Sequence, residues 1–287
     1  MLQQELDSLA PSRDFSRRGF VKTAVGSGFA AAVLPVTAQT IKTDSEGLTV
    51  GEVTIPVGDF KMPAYRAQPA GKTDLPVILV VSEIFGVHEH IADIARRFAK
   101  LGYLAIAPEL FVRQGDAQSY GEVAKLLAEV ISKVPDAQVM GDLDASVAWA
   151  KANGGDTSRL GITGFCWGGR TTWMYAAHNP AVKAAVPWYG PVARAYHPGD
   201  KTALEVAARV KAPVLALYGA ADTGIPNDTV EKMMAALKAA GNTKSELVLY
   251  PDTPHAFHAD YRPSYRKEQA EDGWKRAVAW FKAHGVV

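Results

Sequence analysis

The stretch P-V-I-L-V-V, Pro76 to Val81, is a continuous apolar run too short for a helix of ordinary length. A strand of this kind is buried on both faces, so both faces of its sheet must be covered. Similar short runs recur at Tyr103–Ala107, Leu160–Thr163, Val182–Pro187, Val214–Tyr218 and Glu246–Tyr250. Segments with helical spacing separate them. Ile91, Ile94, Ala95 and Phe98 form one apolar stripe, and Gly102 follows it. Helices are also expected over 136–152, 170–178, 228–240 and 264–284. Strands alternating with helices specify a mostly parallel central sheet with helices on both faces. Ahead of this series, Leu48–Val57 alternates apolar and polar residues, and Phe60–Ala67 is its expected hairpin partner across Pro56–Asp59. Residues 115–135 carry no strand pattern and are expected to form a covering region.

The first 38 residues read differently. Ser16–Lys22 is S-R-R-G-F-V-K, and a short Ala- and Gly-rich apolar run leads to Pro35 and V-T-A. A charged start, a short apolar stretch and small residues before a cleavage site are the layout of an export signal. The run is shorter than the roughly 20 residues of a membrane span. The paired arginines resemble the twin-arginine signal, whose machinery exports folded proteins. The expectation is therefore a signal peptide over 1–38, a linker over 39–47, and one domain over 48–287 in a bacterial periplasm, with no membrane span in the mature chain. Removing 1–38 takes away Arg13, Arg17, Arg18, Lys22, Glu5, Asp7 and Asp14, and leaves 27 charges of each sign. With that balance and no block of like charge, nothing favours nucleic acid as a partner. One cysteine in 287 residues allows neither an internal disulfide nor a cysteine-based zinc cluster.

That cysteine lies in G-F-C-W-G-G, Gly164 to Gly169. Gly164-Phe165-Cys166-Trp167-Gly168 matches the nucleophile-elbow pattern G-x-S-x-G with cysteine in place of serine. An expected strand precedes it and an expected helix follows, which is the context that pattern requires. The turn is sharp enough to strain the backbone of the nucleophile, and small neighbours let strand and helix cross. A thiol there would sit at a helix N-terminus, where unpaired N–H groups favour a thiolate. The other reading is a buried structural cysteine.

A nucleophilic thiol needs a base, and the base needs an orienting group. In this architecture the chain order is nucleophile, acid, histidine. The strand ending at Tyr218 opens into G-A-A-D-T-G-I-P, which contains Asp222. The strand ending at Tyr250 opens into P-D-T-P-H-A-F-H, which contains His255. Both loops fall at the carboxyl edge of the sheet, where open α/β folds bind ligands. Taken singly, Asp222 could cap the helix beginning near Pro226, and His255 could be an ordinary loop histidine.

With these residues in place, the chain resembles the dienelactone hydrolase, or carboxymethylenebutenolidase, family of the α/β-hydrolase fold over most of residues 48–285. The resemblance rests on E-I-F-G-V (Glu83–Val87), A-P-E-L-F (Ala107–Phe111), the cysteine elbow, W-Y-G (Trp188–Gly190), the Asp222 loop and H-A-F-H (His255–His258). It implies a Cys166–His255–Asp222 triad acting on a lactone or small ester, with no metal or organic cofactor. It implies an oxyanion hole from the N–H groups of Ile84 and Trp167. It implies a Glu83 that contacts the resting thiol and gates its ionisation, and an Arg113 that binds an anionic substrate. Where the family has a serine just after the histidine and an arginine three residues beyond, this chain has Ala256 and Ala259, with Tyr261 and Arg262 close by.

Several readings compete. Glu83 could instead cap the adjacent helix or join a loop salt bridge. Trp188 and Tyr189 either line the pocket or fill the core. His88-Glu89-His90 suggests metal ligands, but neighbours at a helix start point apart, so no metal site is expected. A papain-like peptidase would need another fold and chain order. A non-catalytic binding module would not need the three residues together, and a redox-sensing thiol would lack a resolving cysteine in this chain.

Overall fold

The structure, a computed structural model, describes residues 41–287, so the export signal expected over 1–38 lies outside the described residues. The strands are β1 (Leu48–Val57), β2 (Phe60–Pro69), β3 (Leu75–Val81), β4 (Leu104–Pro108), β5 (Gly155–Phe165), β6 (Val182–Trp188), β7 (Leu215–Gly219) and β8 (Glu246–Tyr250). They form one eight-stranded sheet in the order β1-β2-β4-β3-β5-β6-β7-β8. β1 and β2 are an antiparallel hairpin, and β2 joins β4 antiparallel. From β4 to β8 every neighbour is parallel. All seven residues of β3 and all five of β4 are buried, as unbroken apolar runs require.

The principal helices are α1 (Glu89–Lys100), α2 (Val123–Glu129), α3 (Asp136–Ala152), α4 (Trp167–His178), α5 (Asn227–Ala239) and α6 (Lys267–Ala283). α1 and α6 pack together over one face, where Phe98 meets Trp274 at 4.7 Å and Phe281 at 5.8 Å between ring centroids. On the other face α3 and α4 are tied by the Tyr175 hydroxyl, which donates to Asp144 Oδ1 at 2.9 Å. Arg170 adds a bond of 2.7 Å to each Asp136 carboxylate oxygen.

Three local details go beyond the sequence reading. α4 begins at Trp167 rather than Arg170, because Gly168 and Gly169, poor helix formers, are its second and third residues. Residues 115–135 hold α2 and short helical turns, and Leu126, Val130, Ile131 and Val134 are buried beneath them. The stretch before β1, expected only to link, is strapped to α1. Thr43 N–H donates to Asp93 Oδ1 at 2.5 Å, Arg96 Nε donates to the Thr43 carbonyl at 2.9 Å, and Ile41 N–H reaches Asp260 Oδ2 at 3.1 Å.

At the end of β4, Glu109 clamps the loop between β3 and α1. Its Oε1 accepts from Val87 N–H at 2.6 Å, and a Cβ added to Gly86 would meet Oε2 at 2.8 Å. Gly86 also has φ +74°, so glycine satisfies both the turn and the close approach. Burial pushes the Glu109 carboxyl up to about 7, and the bond from Val87 offsets only part of that.

A group whose native value lies above its unfolded value of 4.5 costs stability as the pH rises from 4.5 through about 7. Glu109→Gln keeps an acceptor for Val87 without the charge. Its stability relative to the parent should therefore rise between pH 5 and pH 8, read as urea midpoints. A constant difference across that range would contradict this account.

Candidate active site

Parallel strands all present their carboxyl ends at one edge. Along that edge the order of strands places Glu83 after β3, Cys166 after β5, Tyr189 after β6, Asp222 after β7 and His255 after β8. Each comes from a different loop, because parallel neighbours need a crossover, here helical, between one strand and the next.

Cys166 sits directly before α4 with φ +54° and ψ −114°, a conformation that a side chain resists. Its N–H donates to the Trp188 carbonyl at 3.0 Å, which holds the turn down on β6. The surrounding glycines are there for close backbone contact. A Cβ on Gly164 would lie 2.2 Å from the Gly168 carbonyl oxygen. One on Gly168 would lie 2.3 Å from the Val81 carbonyl oxygen, and one on Gly169 2.5 Å from that of Trp188. Strand β5, helix α4 and the ends of β3 and β6 thus meet without room for one methyl group. The opening of α4 is pressed against the end of β3, so the loop carrying Glu83 and Ile84 begins beside it. Among the described residues, the N–H groups of Ile84 and Trp167 have no protein acceptor.

Asp222 and His255 are brought together by a zipper between their loops. Ala220 N–H donates to the Tyr250 carbonyl at 2.8 Å and Ala221 N–H to that of Thr253 at 3.0 Å. His255 Nδ1 then lies 2.6 Å from Asp222 Oδ2, while Asp222 Oδ1 accepts from Gly224 N–H at 3.0 Å. Asp222 is buried, and its oxygens serve this histidine and its own loop instead of capping α5. Burial opposes charge on the His255 ring. The charge of the Cys166 side chain, and then the charge and hydrogen bond of Asp222, outweigh it and push the ring up to about 10. The Tyr189 ring stands edge-on to His255 at 5.1 Å. Tyr189, with φ +38°, and Ala256, with φ +57°, are further non-glycine residues in the left-handed region beside the site.

Glu83 is buried, but it does not hydrogen-bond to the thiol. Its Oε2 lies 3.2 Å from His88 Nε2, and its Oε1 accepts from the Tyr261 hydroxyl at 3.4 Å. Burial pushes its carboxyl up, but the His88 bond and the charges of His88, His90 and Arg262 prevail and hold it below the ordinary carboxylate range.

Two expected substrate contacts are engaged elsewhere. Arg113 places its terminal nitrogens on the Asp142 oxygens at 2.6 and 2.7 Å and its face over Phe60 at 4.1 Å. An anion would have to displace Asp142 to use it. The Trp188 indole donates to Thr163 Oγ1 at 3.1 Å and packs beside Gly273, so this side chain belongs to the core. Of the W-Y pair, Tyr189 faces the site.

Arg262 is what the sequence reading could not place. It is 8% exposed, lies over Phe85 at 5.0 Å and Tyr261 at 5.1 Å, and has no carboxylate within salt-bridge distance among the described residues. It shares charge interactions with Glu83, Tyr261 and Cys166. The H-E-H motif diverges: His88 turns to Glu83, Glu89 to Arg96, and His90 to Asp260. No group of three or more metal-ligating side chains converges among the described residues.

A mostly parallel sheet with this elbow at its carboxyl edge defines the class as an α/β hydrolase. Within that class the dienelactone hydrolase family matches residues 62–285, and the chain belongs to that family. It is 59% identical to a protein of Methylorubrum extorquens provisionally named carboxymethylenebutenolidase, over 99% of this chain and 98% of that one. A similarly named protein of Escherichia coli K12 is 51% identical over 92% of this chain and 97% of its own length. A crystal structure from Klebsiella pneumoniae, provisionally described as a dienelactone hydrolase, superposes with a TM-score of 0.79 at 55% identity, covering 82% of this chain and 98% of that one.

The raised value of His255 has a testable consequence. The unfolded imidazole titrates near 6.5, so the stabilisation that comes from holding the proton is complete below pH 6.5 and is lost as the pH rises towards about 10. Asp222→Asn should lower the His255 midpoint by at least about one pH unit, since it removes an adjacent negative charge. NMR titration of the imidazole reads this directly, and urea midpoints should fall less between pH 6.5 and 10 and stop falling at a lower pH than in the parent.

Proposed function

We propose that the protein hydrolyses a lactone or small carboxylic ester through a Cys166–His255–Asp222 triad. The observation that carries this reading is the strained Cys166 at the start of α4, beside a histidine whose far nitrogen is held 2.6 Å from a buried aspartate. A structural cysteine has no need of a left-handed backbone or of such a pair. Membership of the dienelactone hydrolase family supports the same reaction class.

The groups account for each step. His255 takes the thiol proton, and Asp222 stabilises the resulting imidazolium and fixes its orientation. Sγ attacks the carbonyl carbon, the C–S bond forms, and the π electrons move to oxygen. The N–H groups of Ile84 and Trp167 receive that charge. The C–O bond breaks, the leaving oxygen takes the proton from His255, and a thioester remains. Water then attacks the thioester, His255 accepts its proton and returns it to sulfur, and the acid is released.

Arg262 gives the site a preference. A guanidinium that is mostly buried and lacks a carboxylate partner attracts one from the substrate. It stands in for the cation that Ala259 does not supply, while Phe85 offers a ring surface. We therefore infer a substrate with a carboxylate near the scissile bond. The N-terminal S-R-R-G-F-V-K supports export by the twin-arginine route and action in the periplasm.

Full-length protein and Cys166→Ala, assayed on p-nitrophenyl acetate, a neutral lactone and a carboxylate-bearing lactone, test the reaction. Hydrolysis should be lost in the variant, and equal turnover by both proteins would exclude the triad. Arg262→Ala should raise KM for the carboxylate-bearing lactone about tenfold or more, the effect of losing a charge-assisted bond, and leave the neutral ester little changed. An equal loss on both substrates would remove Arg262 from recognition.

A further inference from the structure

The segment before β1 is held by hydrogen bonds at three places. Ile41 N–H donates to Asp260 Oδ2 at 3.1 Å. Thr43 N–H donates to Asp93 Oδ1 at 2.5 Å, and Arg96 Nε donates to the Thr43 carbonyl at 2.9 Å. Lys100 Nζ reaches Asp44 Oδ1 at 2.6 Å and the Glu46 carbonyl at 2.7 Å. Packing adds little at its start. Ile41 is 40% exposed, and the described residues leave a cavity of about 240 Å³ bounded by Ile41, Thr43, His258, Tyr265 and Trp274. The hydrogen bonds are what keep this strap in place.

Two of the acceptors are buried carboxylates. Asp93 and Asp260 are 0% and 1% exposed. Arg97 bridges them, with Nε 2.6 Å from Asp93 Oδ2 and Nη2 3.1 Å from Asp260 Oδ2. His90 Nδ1 lies 3.0 Å from Asp260 Oδ1. Burial pushes the Asp260 carboxyl up, but the His90 bond, the charges of His90 and Arg97 and the Ile41 N–H hold it down at about 2. A buried carboxylate keeps its place only while its donors are complete. The strap supplies one backbone N–H to each of the two.

Asp260 belongs to the loop that carries Arg262. Residues 256–266 turn back on themselves through backbone bonds. Ala259 N–H donates to the Ala256 carbonyl, Arg262 N–H to that of Ala259 and Arg266 N–H to that of Phe257, each at 3.0 Å. Among the described residues, the side-chain hydrogen bonds from this loop to the rest of the molecule come from Asp260 and Tyr261. His255 is fixed separately, by Asp222 and by the bonds between the ends of β7 and β8. Arg262 has no carboxylate of its own, so it stands where its loop stands.

We propose that Ile41–Glu46 is a strap that acts through Asp260 to position Arg262 for the substrate carboxylate. This rests on Arg262 being the cation that meets that carboxylate. Ile41 and Asp260 are positioning residues and touch no reacting atom. The strap thereby sets which substrate is preferred, and leaves the Cys166–His255–Asp222 geometry to the strand ends.

The test uses the full-length protein with Ile41→Pro, which lacks the N–H, and Ile41→Ala, which keeps it. Amide exchange read by mass spectrometry should quicken about threefold or more over 256–266 in Ile41→Pro, and stay as in the parent over β3 and β5, because local opening follows local ties. KM for the carboxylate-bearing lactone should rise about threefold, less than for Arg262→Ala, since one bond to a charged group is lost at a distance from the substrate. Turnover of p-nitrophenyl acetate should be unchanged. Ile41→Ala should match the parent in all three. Asp260→Asn, which removes the charge facing Arg97 and His90, should act as Ile41→Pro does and by more. In an Arg262→Ala background, Ile41→Pro should raise KM no further. Unchanged exchange over 256–266 in Ile41→Pro would overturn the proposal. So would an equal loss on the neutral ester, or an undiminished rise in KM in the Arg262→Ala background. Should Arg262→Ala alone leave KM unchanged, the reading of the substrate falls, and the exchange comparison still decides whether the strap holds the loop.

Discussion

The active edge depends on one close crossing, that of β5 with α4 at Cys166. The backbones there are too near for any Cβ at Gly164, Gly168 or Gly169. This packing forces Cys166 to φ +54°, and the Cys166 N–H bond to the Trp188 carbonyl keeps it there. A strained residue persists only when its surroundings over-determine it. Here four elements do so, which places the sulfur at a helix N-terminus and leaves adjacent N–H groups without protein acceptors.

Charge is arranged around that sulfur in two separate pairs. His255 and Asp222 form one, with a short bond and a ring pushed above the ordinary imidazole range. Glu83 and His88 form the other, on the β3 side. Arg262 belongs to neither and lies near both Glu83 and Cys166. In a largely buried setting these charges are weakly screened. Of the motif that looked like metal ligands, His88 pairs with Glu83, Glu89 with Arg96 and His90 with Asp260.

The supports lie well outside Cys166, Asp222 and His255. Glu109 braces the loop that carries Glu83 through Val87. Asp260 gathers His90, Arg97 and the strap at Ile41, which ties the His255 loop to α1 and to the segment before β1. The edge of a parallel sheet supplies the places; these buried bonds supply the angles.

The alternation of apolar runs and helical stripes was enough to give the class of sheet and the position of the edge, because burial on both faces leaves a strand like Pro76–Val81 few alternatives. The elbow was equally legible, since its glycines answer a steric demand that acts within a few residues. Cys166, Asp222 and His255 could be named from chain order and strand ends. Arg113 and Trp188 could not be judged that way: each is engaged by a partner distant in sequence, Asp142 and Thr163. Arg262 and His88 illustrate the same limit from the other side. Their types and neighbours in sequence are ordinary, and their surroundings arise when the loops after β3 and β8 fold against one another. Local sterics and burial are written in sequence spacing. The partner of a long charged side chain is chosen by which loops the sheet brings together, and that choice is made only in the tertiary structure.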